Sequence, residues 1–135
     1  MSIVNNKKIL IVEDEILMLK ALVRVLNQAG FDTLEACNGK EGLKTALLKK
    51  PDLILLDIIM PKMDGLTMLR KLQKNKWGSK VPVIFLTNLS DPEKIVAATR
   101  SYTKTLSNGM YDYLIKSDWR LTDVVKKVKE KLEML

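Results

Sequence analysis

A chain of 135 residues, 47% hydrophobic and 29% charged, has the makeup of an ordinary globular domain and is long enough to bury one core. The absence of histidine and the single cysteine exclude histidine-based catalysis, the usual zinc sites and an internal disulfide. The formal charge of +7 invites an anionic partner, but the lysines are scattered from Lys7 to Lys131 with no arginine-rich or aromatic-interleaved block, which describes a solvated surface better than a nucleic-acid site.

No apolar run approaches a membrane span, and Met1 to Asn6 lacks a signal-peptide core, so a cytoplasmic location and no membrane partner are expected. Residues 1–135 are read as one domain.

In chain order, strand and helix patterns alternate. Lys8 to Val12 is a β-branched run that reads as a buried strand and runs into three carboxylates, Glu13, Asp14 and Glu15. Leu19, Leu22, Val23 and Leu26 repeat at helical spacing, and Ala29-Gly30 supplies a glycine stop. Phe31 to Ala36 alternates as a short second strand, followed by Cys37, expected to be a small buried hydrophobe, and the turn signal Asn38-Gly39. A second helix is predicted through Leu43, Ala46 and Leu47, with Lys49-Lys50 at its C-terminal end and Pro51 beyond it.

Leu53 to Leu56 are four apolar residues without alternation, the mark of a strand covered on both faces. The run ends at Asp57. A surface charge is a poor explanation for a carboxylate at the end of a central strand, because parallel sheets place functional groups at the carboxyl ends of their strands. The chain then turns through Pro61 and Gly65 into a third helix marked by Leu66, Leu69 and Leu72. Val81 to Leu86 is a fourth strand ending at Thr87, and Ser90-Asp91-Pro92-Glu93 carries the chemistry that starts a helix. Ile95, Thr99, Tyr102 and Leu106 predict that this fourth helix extends towards Asn108-Gly109. Met110 to Ile115 is a fifth strand ending at Lys116. Asp118 to Leu135 is a fifth helix with Leu121, Val124, Val125, Val128 and Leu132 on one stripe, and Asp123 lies four residues before Lys127, a favourable pairing.

Five such units predict an α/β fold: a doubly wound, five-stranded parallel sheet with helices on both faces. The strand ends then gather Glu13, Asp14, Asp57, Thr87 and Lys116 on one rim. This set, with Met60-Pro61-Lys62-Met63-Asp64-Gly65 behind Asp57 and Tyr113 three residues before Lys116, resembles the receiver domain of bacterial two-component response regulators over essentially the whole chain. The resemblance implies a strand order of 2-1-3-4-5 and a phosphorelay in which Asp57 accepts a phosphoryl group from a sensor histidine kinase or a histidine phosphotransfer protein.

The resemblance further implies Mg²⁺ held by Glu13, Asp14, Asp57 and the backbone carbonyl of Ile59, with Asp14 as direct ligand and Glu13 acting through water. Lys116 and Thr87 would contact the phosphoryl oxygens, and Thr87 and Tyr113 would switch together. The face made by the fourth helix, fifth strand and fifth helix would read the switch out to a downstream effector protein or domain, and would be a dimer surface. The chain would act on its own Asp57 rather than as an enzyme with other substrates.

The chemistry of the residues agrees with this. A carboxylate attacking a phosphoryl group concentrates negative charge, so the site must supply positive charge, and hard oxygen ligands suit Mg²⁺. Three positions depart from the pattern. Ser117 stands where proline usually follows the lysine, which makes a cis bond there costly, by about 2.5–4 kcal/mol. Asn88 stands where a small residue is common, and the stretch from Thr87 to Gly109 is longer than usual. The competing expectation is a pseudo-receiver, a protein-interaction module of the same fold that is not phosphorylated. A flavodoxin-like carrier is disfavoured, because Glu13-Asp14-Glu15 would repel a cofactor phosphate.

Overall fold

The computed structural model describes residues 6–60, 62–87, 111–116 and 120–133. Within them the chain runs β1 (Lys8–Val12), α1 (Ile16–Gln28), β2 (Asp32–Ala36), α2 (Gly39–Lys49), β3 (Leu53–Asp57), α3 (Gly65–Gln73), β4 (Val83–Thr87), β5 (Tyr111–Ile115) and a last helix, α4 (Leu121–Glu133), which is the fifth helix of the sequence reading. The five strands form one parallel sheet in the order β2-β1-β3-β4-β5, as expected. The extended helix expected between β4 and β5, the Lys116–Ser117 bond and Asn88 lie outside the described residues.

Alternation along the strands divides the core. Leu10, Val12, Ile54, Leu56, Val83 and Phe85 face α2 and α3, together with Met68, Leu69 and Leu72. Ile9, Ile11, Leu53, Leu55, Ile84 and Leu86 face the other way, against Leu19, Leu22 and Leu26 of α1 and Val124 and Val128 of α4. Every residue of β3 is buried, which is why that strand shows no polar alternation in sequence.

Three local readings are corrected. Asn38-Gly39 is not a free turn but the start of α2: the Asn38 side chain accepts from the Glu41 backbone N–H at 2.9 Å, an N-cap. α2 also packs through small residues rather than through Leu47, which lies at the surface. Gly39, Gly42 and Ala46 are its buried positions, and a Cβ on Gly42 would meet Val12 and Met68 at 2.9 Å. Finally, Lys127 pairs with Asp112 on β5 at 3.1 Å, while Asp123 caps the start of α4 by accepting from Arg120 N–H at 2.8 Å. The cross-element pair prevails because Asp112 lies on the sheet face that α4 covers.

Candidate functional site

The sheet order reverses at β1 and β3. The chain leaves β1 for the α1 face and leaves β3 for the α3 face, which opens a crevice at their carboxyl ends. Glu13 follows β1 directly, and Asp57 is the last residue of β3. Glu13 N–H donates to Ala36 carbonyl at 3.0 Å, and Ile58 N–H donates to Leu86 carbonyl at 3.1 Å, so both strand ends are held by their neighbours.

One carboxylate oxygen from each of Glu13, Asp14 and Asp57 can be chosen so that all three lie within 4.8 Å of one another. Glu13 and Asp57 are buried and Asp14 is half-buried. Lys116, from the end of β5, reaches across β4 into this cluster. Its ammonium donates to Glu13 Oε1 and to Asp57 Oδ2, the latter at 3.3 Å, and Glu15 Oε1 lies 3.7 Å away. The Lys116 side chain is only 5% exposed, so this is an enclosed ion cluster and not a surface pair.

One ammonium against three clustered carboxylates leaves an excess of negative charge, which adds to burial in setting how these groups titrate. Burial, and then the neighbouring Glu13 carboxylate, push Asp57 up to about 7, against which Lys116 and Asp14 act only in part. Burial and the Asp57 carboxylate likewise raise Asp14 above the usual aspartate value. Burial alone would lower Lys116, but Glu13 and Asp57 outweigh it and hold the ammonium above the ordinary lysine value. The second oxygen of Glu13, Oε2, is fully buried and has no hydrogen-bond partner among the described residues. An orphaned buried carboxylate oxygen beside two more carboxylates is a donor set suited to a hard divalent cation.

The loop after Asp57 is tightly built. Gly65 N–H donates to Ile58 carbonyl at 2.8 Å, and a Cβ on Gly65 would stand 2.2 Å from the Asp57 carbonyl oxygen, so only glycine lets α3 begin this close to the strand end. Asp64 caps α3 by accepting from Thr67 N–H at 2.7 Å. Ile58 and Met60 are buried, while the side chain of Ile59 between them is 64% exposed. Lys62 takes a left-handed backbone conformation with φ 68°.

Of the remaining expected residues, Thr87 ends β4, where Leu86 stands opposite Asp57 and Thr87 opposite Ile115; its hydroxyl lies outside what is described. Tyr113 is half-buried and packs on the α2–α3 side of the sheet. Cys37 corrects the expectation of a buried hydrophobe: it is exposed, and its thiol donates to Glu41 Oε2 at 2.9 Å. That hydrogen bond raises the thiol above its usual value and lowers Glu41 below its own. Sequence reasoning also missed Glu15 as a neighbour of Lys116 and Gly39 as a contact of the Asp57 loop. The acid triplet was the available signal for the first, and no local signal marks the second.

Comparison with known proteins gives a consistent picture. The family model described as the response regulator receiver domain matches residues 9–129. A probable transcriptional regulator, ycf27, of Cyanophora paradoxa is 35% identical over 113 residues, covering 84% of this chain and 43% of that protein. A protein-glutamate methylesterase/protein-glutamine glutaminase of Archaeoglobus fulgidus is 34% identical over 124 residues, 91% of this chain and 33% of that protein. The chain thus spans less than half the length of these relatives. Among solved structures, the receiver domain of the Francisella response regulator 1452 superposes with a TM-score of 0.81 at 27% identity, covering 96% of this chain and 98% of that one. A CheY-like receiver domain protein from Methanospirillum hungatei gives 0.79 at 27% identity, covering 96% of each.

Proposed function

Because the chain belongs to the response regulator receiver domain family, we propose that Asp57 is its phosphoacceptor and that phosphorylation depends on Mg²⁺. A carboxylate oxygen of Asp57 attacks the phosphorus of a phosphohistidine. The O–P bond forms as the P–N bond breaks, and the electron pair returns to the imidazole of the donor. The phosphoryl oxygens gather charge during transfer, and catalysis is chiefly positioning and electrostatic stabilisation. The Lys116 ammonium, already against Asp57, is placed to hold one of these oxygens. Thr87, at the end of the adjoining strand, supplies a hydroxyl donor to another. Glu13, Asp14 and Asp57, with the Ile59 carbonyl, would hold the cation, whose positive charge offsets that of the acids and the incoming phosphoryl group.

The observation that carries this reading is the enclosed cluster of Lys116, Glu13 and Asp57 with the orphaned Glu13 oxygen beside it. Three buried or half-buried acids around one ammonium are costly to maintain and are poorly explained as scaffolding.

Receiver domains of response regulators interact with histidine kinases and effector domains. For this chain the proposed donor is a sensor histidine kinase or histidine phosphotransfer protein in the cytoplasm. The proposed readout is the face made by the segment between β4 and β5, by β5 and by α4, with Thr87 and Tyr113 switching together. The same face is proposed as a dimer surface. The scatter of lysines along the sequence does not favour nucleic acid as a partner, and no described helix is long and apolar enough to cross a membrane. The relatives above are named for unlike outputs, transcriptional regulation and methylesterase activity, so the effector is proposed to lie outside residues 1–135.

The test is intact mass after incubation with Mg²⁺ and acetyl phosphate. One added phosphoryl group is expected in the wild type, and none in Asp57→Asn or with chelator present. Uptake at an unchanged rate in Asp57→Asn overturns the assignment. No uptake by the wild type favours the pseudo-receiver alternative.

A further inference from the structure

The start of α2 touches the Asp57 loop through backbone. Gly39, the first residue of the helix, is buried, and its N–H donates to the Met63 carbonyl at 3.1 Å. A Cβ at Gly39 would stand 2.2 Å from that oxygen, 2.9 Å from the carbonyl carbon and 3.0 Å from the Met63 Cβ. Two of these three neighbours are main chain, so the loop itself would have to move. One turn further on, Gly42 sits against Val12, the residue before Glu13. The same helix end therefore abuts the chain beside both halves of the acid cluster: Val12 at the end of β1, just before Glu13, and Met63 between Asp57 and Gly65.

This helix end is itself fixed from outside. Asn38 Oδ1 accepts from Glu41 N–H at 2.9 Å, Asn38 Nδ2 donates to Glu41 Oε2 at 3.3 Å, and the Cys37 thiol donates to the same oxygen at 2.9 Å. Asn38 and Glu41 thus cap the helix start reciprocally, with the Cys37 thiol on the same Glu41 oxygen.

We infer that Gly39 is a positioning residue for the cation site, setting through Met63 the loop that carries the Ile59 carbonyl. The inference rests on the receiver chemistry proposed above and assigns Gly39 no contact with the reacting atoms. Outer contacts that orient metal ligands typically change metal affinity 10- to 100-fold when lost. A displaced loop should act on the cation more than on the intrinsic reactivity of Asp57.

The experiment compares wild type, Gly39→Ala and Gly78→Ala. Gly78 is an internal control: its Cβ would also stand 2.2 Å from a carbonyl oxygen, that of Leu72, but in the turn after α3. Titration calorimetry with Mg²⁺ alone should show affinity about tenfold weaker in Gly39→Ala and unchanged in Gly78→Ala. Phosphoryl uptake from acetyl phosphate should fall in Gly39→Ala at low Mg²⁺ and return to the wild-type rate at saturating Mg²⁺. Equal Mg²⁺ affinity in all three proteins overturns the inference, as does an equal loss in both variants, which would mark a merely structural glycine.

Should Gly39→Ala not fold, Asn38→Ala loosens the same cap without a clash and should weaken Mg²⁺ binding, with recovery in Asn38→Ser; no difference between these two also overturns it. A wild type that binds no Mg²⁺ overturns the proposed function together with the inference. A wild type that takes up phosphoryl beside an unaffected Gly39→Ala overturns the inference alone.

Discussion

The Lys116 ammonium lies 3.3 Å from Asp57 Oδ2 and also bonds to Glu13 Oε1, so one buried cation is shared between the proposed phosphoacceptor and the acid at the end of β1. Glu13 is fully buried and Asp57 is 4% exposed, so neither can turn to water if the ammonium is lost. Removing one partner of a buried ion pair typically costs about 3–5 kcal/mol, because the other charge remains uncompensated. Lys116→Met should therefore lower unfolding free energy by roughly that amount at pH 8 without metal. Urea denaturation of the two proteins measures it, and a loss below about 1 kcal/mol, the range of exposed pairs, contradicts the burial argument.

The raised position of Asp57 implies a pH-dependent stability. Its carboxyl titrates near 7 in the folded chain against 3.8 in its ordinary state, so between those values the folded state holds a proton that the unfolded state has lost. Stability contributed by this group is thus fully present below pH 3.8, falls as pH rises to about 7, and is level above it. At roughly 1.4 kcal/mol per pH unit the full change is on the order of 4 kcal/mol. Asp14, shifted in the same direction, adds to the trend, whereas Lys116, raised above the lysine range, stays charged throughout the window. Asp57→Asn should flatten most of the fall when denaturation midpoints are compared at pH 5.5 and 8 in chelator. A wild type more stable at pH 8 than at pH 5.5 would contradict the sign.

Much of this site is legible in the sequence. Leu53 to Leu56 announced a central strand because a strand buried on both faces cannot alternate, and a carboxylate ending such a run breaks the local rule in a way that points to function. The strand order followed from the resemblance rather than from pattern, since periodicity specifies elements and not their neighbours. What remained hidden depends on distant backbone. Gly39 looked like half of an Asn-Gly turn because its reason for being glycine, the Met63 carbonyl, lies 24 residues away in sequence. Cys37 departs from expectation because free cysteine is usually buried, whereas here the turn into α2 leaves the thiol outside, against Glu41.

Asp14 separates metal binding from folding. It is the least buried member of the acid cluster, and it is raised by burial and by Asp57. Asp14→Ala should weaken Mg²⁺ binding by tenfold or more while increasing apo stability by up to about 1 kcal/mol, because it relieves like-charge repulsion. Paired thermal melts with chelator and with excess Mg²⁺ check both signs at once. A clear loss of apo stability would show that Asp14 is held by contacts other than these charges.

Gly65→Ala tests the closeness of α3 to the strand end. With a Cβ placed 2.2 Å from the Asp57 carbonyl oxygen, the start of the helix or the end of β3 must shift. Overpacking against main chain of this kind costs about 1–3 kcal/mol or more. Reduced stability with slower phosphoryl uptake at saturating Mg²⁺ is expected, since here the backbone of the proposed nucleophile is displaced. A variant with wild-type stability and uptake would show that the helix start yields freely.

The Lys116–Glu13 bond joins residues 103 positions apart, and the Asp57–Lys116 bond spans 59. During synthesis the acids of β1 and β3 emerge long before the lysine that neutralises them, and β5 cannot join the sheet until the stretch after β4 has left the ribosome. A nascent chain stalled before Lys116 therefore lacks the ammonium that bonds Glu13 and Asp57 and leaves the β4 edge without its β5 partner, an exposed edge of the kind that invites pairing with other chains. Closure of the cluster by Lys116 accordingly waits on the last strand, and the proposed competence to accept a phosphoryl group would arrive with that strand rather than grow gradually as the sheet is assembled.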